Sequence, residues 1–142
     1  MKKKISIIVG GSGQFGISLS KILLKKKHIV IITTRNIIKA KKKISYKNKN
    51  LKIVRLNILK TNQINSLIKQ YSPFQIFYFA SQSSPSISFK KKEETYLSNF
   101  KGCLNFLKII HKNKLNCKFI NASSSEIFAE TKKKINTNSK KK

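Results

Sequence analysis

The chain has 142 residues, enough for one domain with a true core, and 39% of them are hydrophobic. Its 32 Lys+Arg against 4 Asp+Glu give a formal net charge of +28, yet only Arg35 and Arg55 are arginine. Nucleic-acid sites favour arginine gathered on one surface, so scattered lysine argues against that class, and no apolar run nears the roughly 18 residues of a membrane span.

In chain order, the compact β-branched run 5–9 reads as a buried strand. Residues 14–26 place Phe15, Leu19, Ile22 and Leu23 at helical spacing and end in basic residues suited to a helix C-terminus. Strands follow at 29–33 and 51–56, with a basic loop or ragged helix over 39–50 between them. Thr61 or Asn62 is the expected cap of a helix through Tyr71, its inner face Ile64, Leu67 and Ile68. Ser72-Pro73 stops it.

A fourth strand is expected at 75–79, then a loop, "ASQSSPS". Residues 93–111 read as one long helix with Tyr96, Leu97, Phe100, Leu104, Phe106, Leu107 and Ile110 on its apolar face, and 118–121 as a fifth strand. Residues 1–130 then form one domain, and 131–142 a polar basic tail. Strands alternating with helices predict an α/β fold with a doubly wound parallel sheet, whose ligands lie beyond the carboxyl ends of the strands. Cys103 and Cys117 read as reduced thiols of a cytoplasmic protein, with no metal site.

"VGGSGQFG" sets Gly10, Gly13 and Gly16 between the first strand and first helix. A turn that seats a diphosphate needs a tight bend, a place where backbone meets the phosphates, and a close helix–strand contact; side chains obstruct all three. The helix N-terminus behind it offers unpaired N–H groups. At the end of the second strand an NAD site expects an acid, whereas this chain has Thr34, Arg35 and Asn36. Arg35 can pair with a 2′-phosphate, which favours NADP over NAD.

The stretches "IFYFASQSSPSISF" (76–89), "NFKGCLNFL" (99–107) and "FINASSSEIF" (119–128) join this turn in a specific order. Together they resemble the extended short-chain dehydrogenase/reductase family, and within it GDP-mannose 4,6-dehydratases and their nucleotide-sugar relatives. The resemblance implies a Rossmann fold, a homo-oligomeric full-length enzyme and a nucleotide-sugar substrate, GDP-mannose. It assigns Gly10, Gly13, Gln14, Phe15 and Gly16 to the pyrophosphate loop, and Arg35 to the 2′-phosphate. It sets Asn57 and Ile58 beside the adenine, with Asn where the family has Asp. Phe79, Ala80 and Ser81 fall along the ribose and phosphates, and Gln82 and Ser83 beside the sugar. Asn99 and Gly102 match a structural helix position, and Phe128-Ala129 stands where Tyr-Gly is common.

In the catalytic loop the resemblance makes Ser124 the hydroxyl that steadies O4 and Glu126 the base at C5. The family's Tyr-x-x-x-Lys pair lies further on than Lys142, and Tyr46, Tyr71, Tyr78 and Tyr96 have no lysine four residues later. The expectation is therefore an N-terminal fragment, truncated before that helix and the substrate-binding portion, inactive alone and with an exposed sheet edge. Competing readings are an epimerase or reductase of the same family, against which Glu126 argues, and a non-catalytic dinucleotide-binding module. A basic nucleic-acid-associated protein is the remaining one.

Overall fold

The structure, a computed structural model, describes residues 3–124, 127–129 and 134–141. Five strands, β1 (Ile5–Val9), β2 (Ile29–Thr34), β3 (Leu51–Arg55), β4 (Gln75–Tyr78) and β5 (Lys118–Asn121), lie in the order β3-β2-β1-β4-β5. Every pairing is parallel: Ile7 stands opposite Ile31 on one side and Ile76 on the other, and Phe77 opposite Ile120. The expected doubly wound sheet is therefore present.

Alternation along the strands divides the core into two layers. Ile7 and Val9 of β1, with Ile31, Ile76 and Tyr78, pack beneath Ile64, Leu67 and Ile68 of α3 (Thr61–Tyr71) and Cys103, Phe106 and Ile109 of α6 (Gly102–Lys112). Ile8, Val30 and Ile32 face the other way, against Leu23 of α1 (Gln14–Lys25) and Ile44, which follows α2 (Ile37–Lys43). Each crossover thus buries one helical stripe on one face of the sheet.

Several elements differ from expectation. The basic stretch after β2 holds a true helix, α2, because the Asn36 side chain accepts the Lys39 N–H at 3.0 Å and Ala40 is its one buried residue. Neither Thr61 nor Asn62 caps α3; Lys60 holds that position without a side-chain bond, and Ser72 ends the helix in the left-handed region. The expected loop after β4 turns helical at α4 (Pro85–Lys90), with proline at the start where its missing N–H costs nothing.

The long helix expected over 93–111 is three pieces: α5 (Lys92–Tyr96), a π-helical segment (Leu97–Lys101) and α6. A π segment rotates the residues beyond it relative to a regular helix, so one stripe cannot run through. Tyr96, Phe100 and Leu107 are accordingly exposed, while Gly102, Cys103, Asn105, Phe106 and Ile109 face the core. Lys141 of the tail forms an antiparallel bridge with Phe128.

Both cysteines are free. Burial pushes both thiols up, Cys117 to about 11. Among the described residues no helix is long and apolar enough to cross a membrane, and no three His, Cys, Asp or Glu gather as a metal site requires.

Candidate functional site

All five strands point their carboxyl ends to one edge of the sheet, and backbone hydrogen bonds stitch the exits into a row. Ala122 N–H donates to Tyr78 O at 3.3 Å, Phe79 N–H to Val9 O at 2.8 Å, and Leu56 N–H to Thr34 O at 2.9 Å. Between β1 and β2 the hydroxyls of Ser12 and Thr34 are 3.4 Å apart. The strand order reverses between β1 and β4, and a crevice opens at such a switch point.

The glycine turn sits over that crevice. Gly10 has φ +73°, and a Cβ on it would lie 2.8 Å from the Ala80 nitrogen and Cα. Gly16 is as confined: a Cβ there would stand 2.6 Å from the Gly11 carbonyl oxygen. Gly13 differs, since the sole protein atom near its Cβ position is Gly10 O at 3.6 Å. Protein packing does not demand glycine at 13, whereas a phosphate drawn close to the backbone does. Gly13 caps α1, and the N–H groups of Gln14, Phe15 and Gly16 meet no protein acceptor among the described residues. Phe15 stands 79% exposed beside them. Three free N–H groups at a helix N-terminus suit an anion, so the residues present fit a diphosphate.

Beyond β2 and β3 a pocket of about 390 Å³ is lined by Arg35, Arg55, Leu56, Asn57, Lys60 and Gln63. Asn57 folds its own turn: its Oδ1 accepts Leu59 N–H at 3.0 Å, and its N–H donates to Gln63 Oε1 at 2.9 Å. Its amide NH2 has no protein acceptor among the described residues. Ile58, by contrast, packs on the core, with its carbonyl held by the buried Asn105 at 3.0 Å.

After β4, Phe79 packs near Phe77, their rings 6.2 Å apart, and Ala80 packs against the α3/α6 layer. Ser81 and Gln82 are half-buried, and Ser83 is exposed. Asn99 holds this loop: its Oδ1 accepts the Gln82 N–H at 2.7 Å and its Nδ2 donates to the Gln82 carbonyl at 3.1 Å. The Gln82 Oε1 in turn accepts Ser84 N–H at 3.1 Å. Asn99 lies in the π-helical segment, which the Tyr78 hydroxyl anchors by donating to Ser98 O at 2.5 Å. Burial chiefly, and Cys103 next, raise the Tyr78 pKa above the ordinary phenol range, so this hydroxyl stays a donor.

Ser124 follows the β5 exit, exposed, with its carbonyl accepting Ile127 N–H at 3.3 Å. Glu126 lies outside the described residues. The structure thus brings the glycine turn, Arg35, Asn57, the 79–83 loop and Ser124 to the same edge of the sheet. Sequence reasoning missed Arg55, Lys60 and the reason for Asn99; the scarcity of arginine was the available signal for Arg55.

A parallel sheet wound in this order, with a glycine turn at its switch point, is the Rossmann arrangement of NAD-dependent epimerase/dehydratase proteins. The family model for GDP-mannose 4,6 dehydratase matches residues 7–141, and the chain belongs to that family. Among solved structures it is similar to the UDP-glucose 4-epimerase of Brucella ovis in complex with NAD, at 16% identity and TM-score 0.82 over 98% of this chain and 42% of that one. The Thermus thermophilus UDP-glucose 4-epimerase complex with NAD gives 16% identity and TM-score 0.81 over 97% and 44%. An epimerase from Methanothermobacter thermautotrophicus gives 24% identity and TM-score 0.80 over 94% and 39%. The chain spans between 39% and 44% of the length of these three structures.

Proposed function

We propose that the chain is the dinucleotide-binding part of a nucleotide-sugar 4,6-dehydratase that uses NADP and takes GDP-mannose. The observation that carries the reading is the open face of Gly13 beside three unpaired N–H groups, directly over the switch point. That is a seat for a diphosphate, and Arg35, with no acid beside it, suits a 2′-phosphate. Bound there, the nicotinamide dinucleotide supplies a reversible hydride acceptor.

The protein's own residues would do the rest. The Ser124 hydroxyl would hydrogen-bond O4 of the hexose as charge develops on it. Once C4 is a ketone, the Glu126 carboxylate would take the C5 proton and deliver it to the departing C6 hydroxyl, which leaves as water. Gln82 and Ser83 would border the sugar, with Asn99 fixing the Gln82 backbone.

A second reading, C4 epimerisation, is favoured by the UDP-glucose 4-epimerases among the structural relatives. Titration of the chain with NADP and NAD tests the cofactor: saturable binding with NADP preferred supports the reading, and binding of neither contradicts it. Mass spectrometry and NMR of GDP-mannose after incubation with NADP and a longer protein that carries this chain together with the catalytic Tyr-x-x-x-Lys segment test the chemistry. Loss of one water is the dehydratase outcome, and inversion without mass change is the epimerase one.

A further inference from the structure

Arg35 and Arg55 are the two arginines of the chain, and both line the pocket beyond β2 and β3 together with Lys60. Lysine is so abundant here that a lysine in any pocket is unremarked; convergence of both arginines is not explained by that bias. Parallel pairing produces it. Arg55 is the register partner of Thr34, so it lies one strand spacing from the residue that precedes Arg35. The Leu56 N–H to Thr34 O bond at 2.9 Å fixes the two exits against each other.

Three cations around one pocket repel each other unless an anion joins them. No protein anion does so: among the described residues Arg35, Arg55 and Lys60 take part in no ion pair, and neither guanidinium donates to a protein acceptor. The acids of the described residues, Glu93 and Glu94, are on α5, where Glu94 pairs with Lys91 at 2.9 Å. A guanidinium fork matches two oxygens of a phosphate monoester, and a pair from adjacent strands can grip one phosphate from two sides.

We propose that Arg55 is a second specificity residue for the 2′-phosphate of the cofactor, acting opposite Arg35, with Lys60 closing the third side. This rests on the NADP reading above, extends it to a β3 residue, and predicts that the preference for NADP survives only with both arginines. Asn57 belongs to the same logic. It lines this pocket as a neutral amide, where a carboxylate would repel the phosphate.

The test compares the dissociation constants of NADP, NAD, 2′-AMP, 3′-AMP and 5′-AMP for the unaltered chain, Arg35→Gln, Arg55→Gln and Arg55→Lys. Arg55 is exposed, and an unchanged urea midpoint reports an intact fold in each variant. Arg55→Gln is expected to weaken NADP and 2′-AMP by about tenfold, and NAD and 5′-AMP by less than about twofold. Arg55→Lys, which keeps charge but loses the fork, should fall between. An unaltered chain that prefers NADP, loses that preference in Arg35→Gln and keeps it in Arg55→Gln overturns the role of Arg55 and leaves the NADP reading standing. An unaltered chain that does not separate NADP from NAD, or 2′-AMP from 3′-AMP, overturns both.

Discussion

The carboxamide of Asn99 engages both backbone groups of Gln82, taking its N–H at 2.7 Å and serving its carbonyl at 3.1 Å. The helix that carries Asn99 thereby sets the conformation of a loop seventeen residues away. Without this clamp the segment after β4 would be free to wander at the mouth of the crevice.

Asn99→Ala removes both hydrogen bonds to Gln82, each with a net value of about 1 kcal/mol, and a third that Asn99 Oδ1 accepts from the Ser98 hydroxyl at 2.9 Å. Amide exchange at Gln82, followed by NMR, should accelerate about tenfold or more while exchange in β1 stays unchanged. Asn99→Asp keeps the acceptor for the Gln82 N–H and should lose less. Equal exchange at Gln82 in all three proteins would show that the loop is held by something else.

Glycines 10 and 13 should separate fold from function. Gly10→Ala forces a side chain into the left-handed region and against Ala80, so the urea midpoint should fall by the equivalent of about 2 kcal/mol or more. Gly13→Ala meets only an ordinary van der Waals contact with Gly10 O and should cost no more than about 1 kcal/mol, the loss of glycine at the N-cap of α1. Its effect belongs in the dinucleotide constant, expected to weaken by about tenfold as the methyl group holds the diphosphate off the N–H groups. A Gly13→Ala protein with unaltered binding contradicts the placement of the diphosphate.

At the opposite end of the sheet a polar chain crosses β4, β1 and the start of β2. Gln75 Nε2 donates to Ser6 Oγ at 2.9 Å, and Ser6 Oγ lies 2.7 Å from His28 Nδ1. Ser6 Oγ accepts from Gln75 and shares a second hydrogen bond with Nδ1, whose donor is set by the imidazole tautomer. Burial first, then Lys4 and Lys26, hold the His28 pKa below its ordinary 6.5. Above pH 6.5 both folded and unfolded chains carry a neutral imidazole and this contribution is intact. As pH falls below that value the unfolded chain takes up the proton first, so stability declines until the folded pKa is passed. Urea midpoints measured from pH 8 down to about pH 5 should show this slope in the native protein and a shallower one in His28→Gln. Parallel slopes would remove His28 as the cause.

The sheet was legible because its strands are compact β-branched runs: β1 and β5 match expectation residue for residue, and β2, β3 and β4 differ by one at the end. The layers followed from alternation, as with Ile8 against Ile7 and Val9. What escaped was non-periodic or non-local. Helix α2 buries little beyond Ala40, so lysines hide it, and the π segment breaks a stripe that spacing alone reads as continuous. Gly10, Gly13 and Arg35 announce themselves within one strand–helix–strand unit, whereas Arg55 joins Arg35 through a strand register that no local pattern encodes.

The central claim is that a dinucleotide diphosphate rests on the N-terminus of α1, over the turn that joins it to β1. Amide NMR shifts during NADP titration test it most directly. The account predicts that the largest changes fall on the Gln14, Phe15 and Gly16 N–H groups, saturating together, with smaller changes around Arg35 and Arg55. Saturable binding that leaves those three amides in place, with the shifts confined to lysine-rich segments elsewhere, would contradict it.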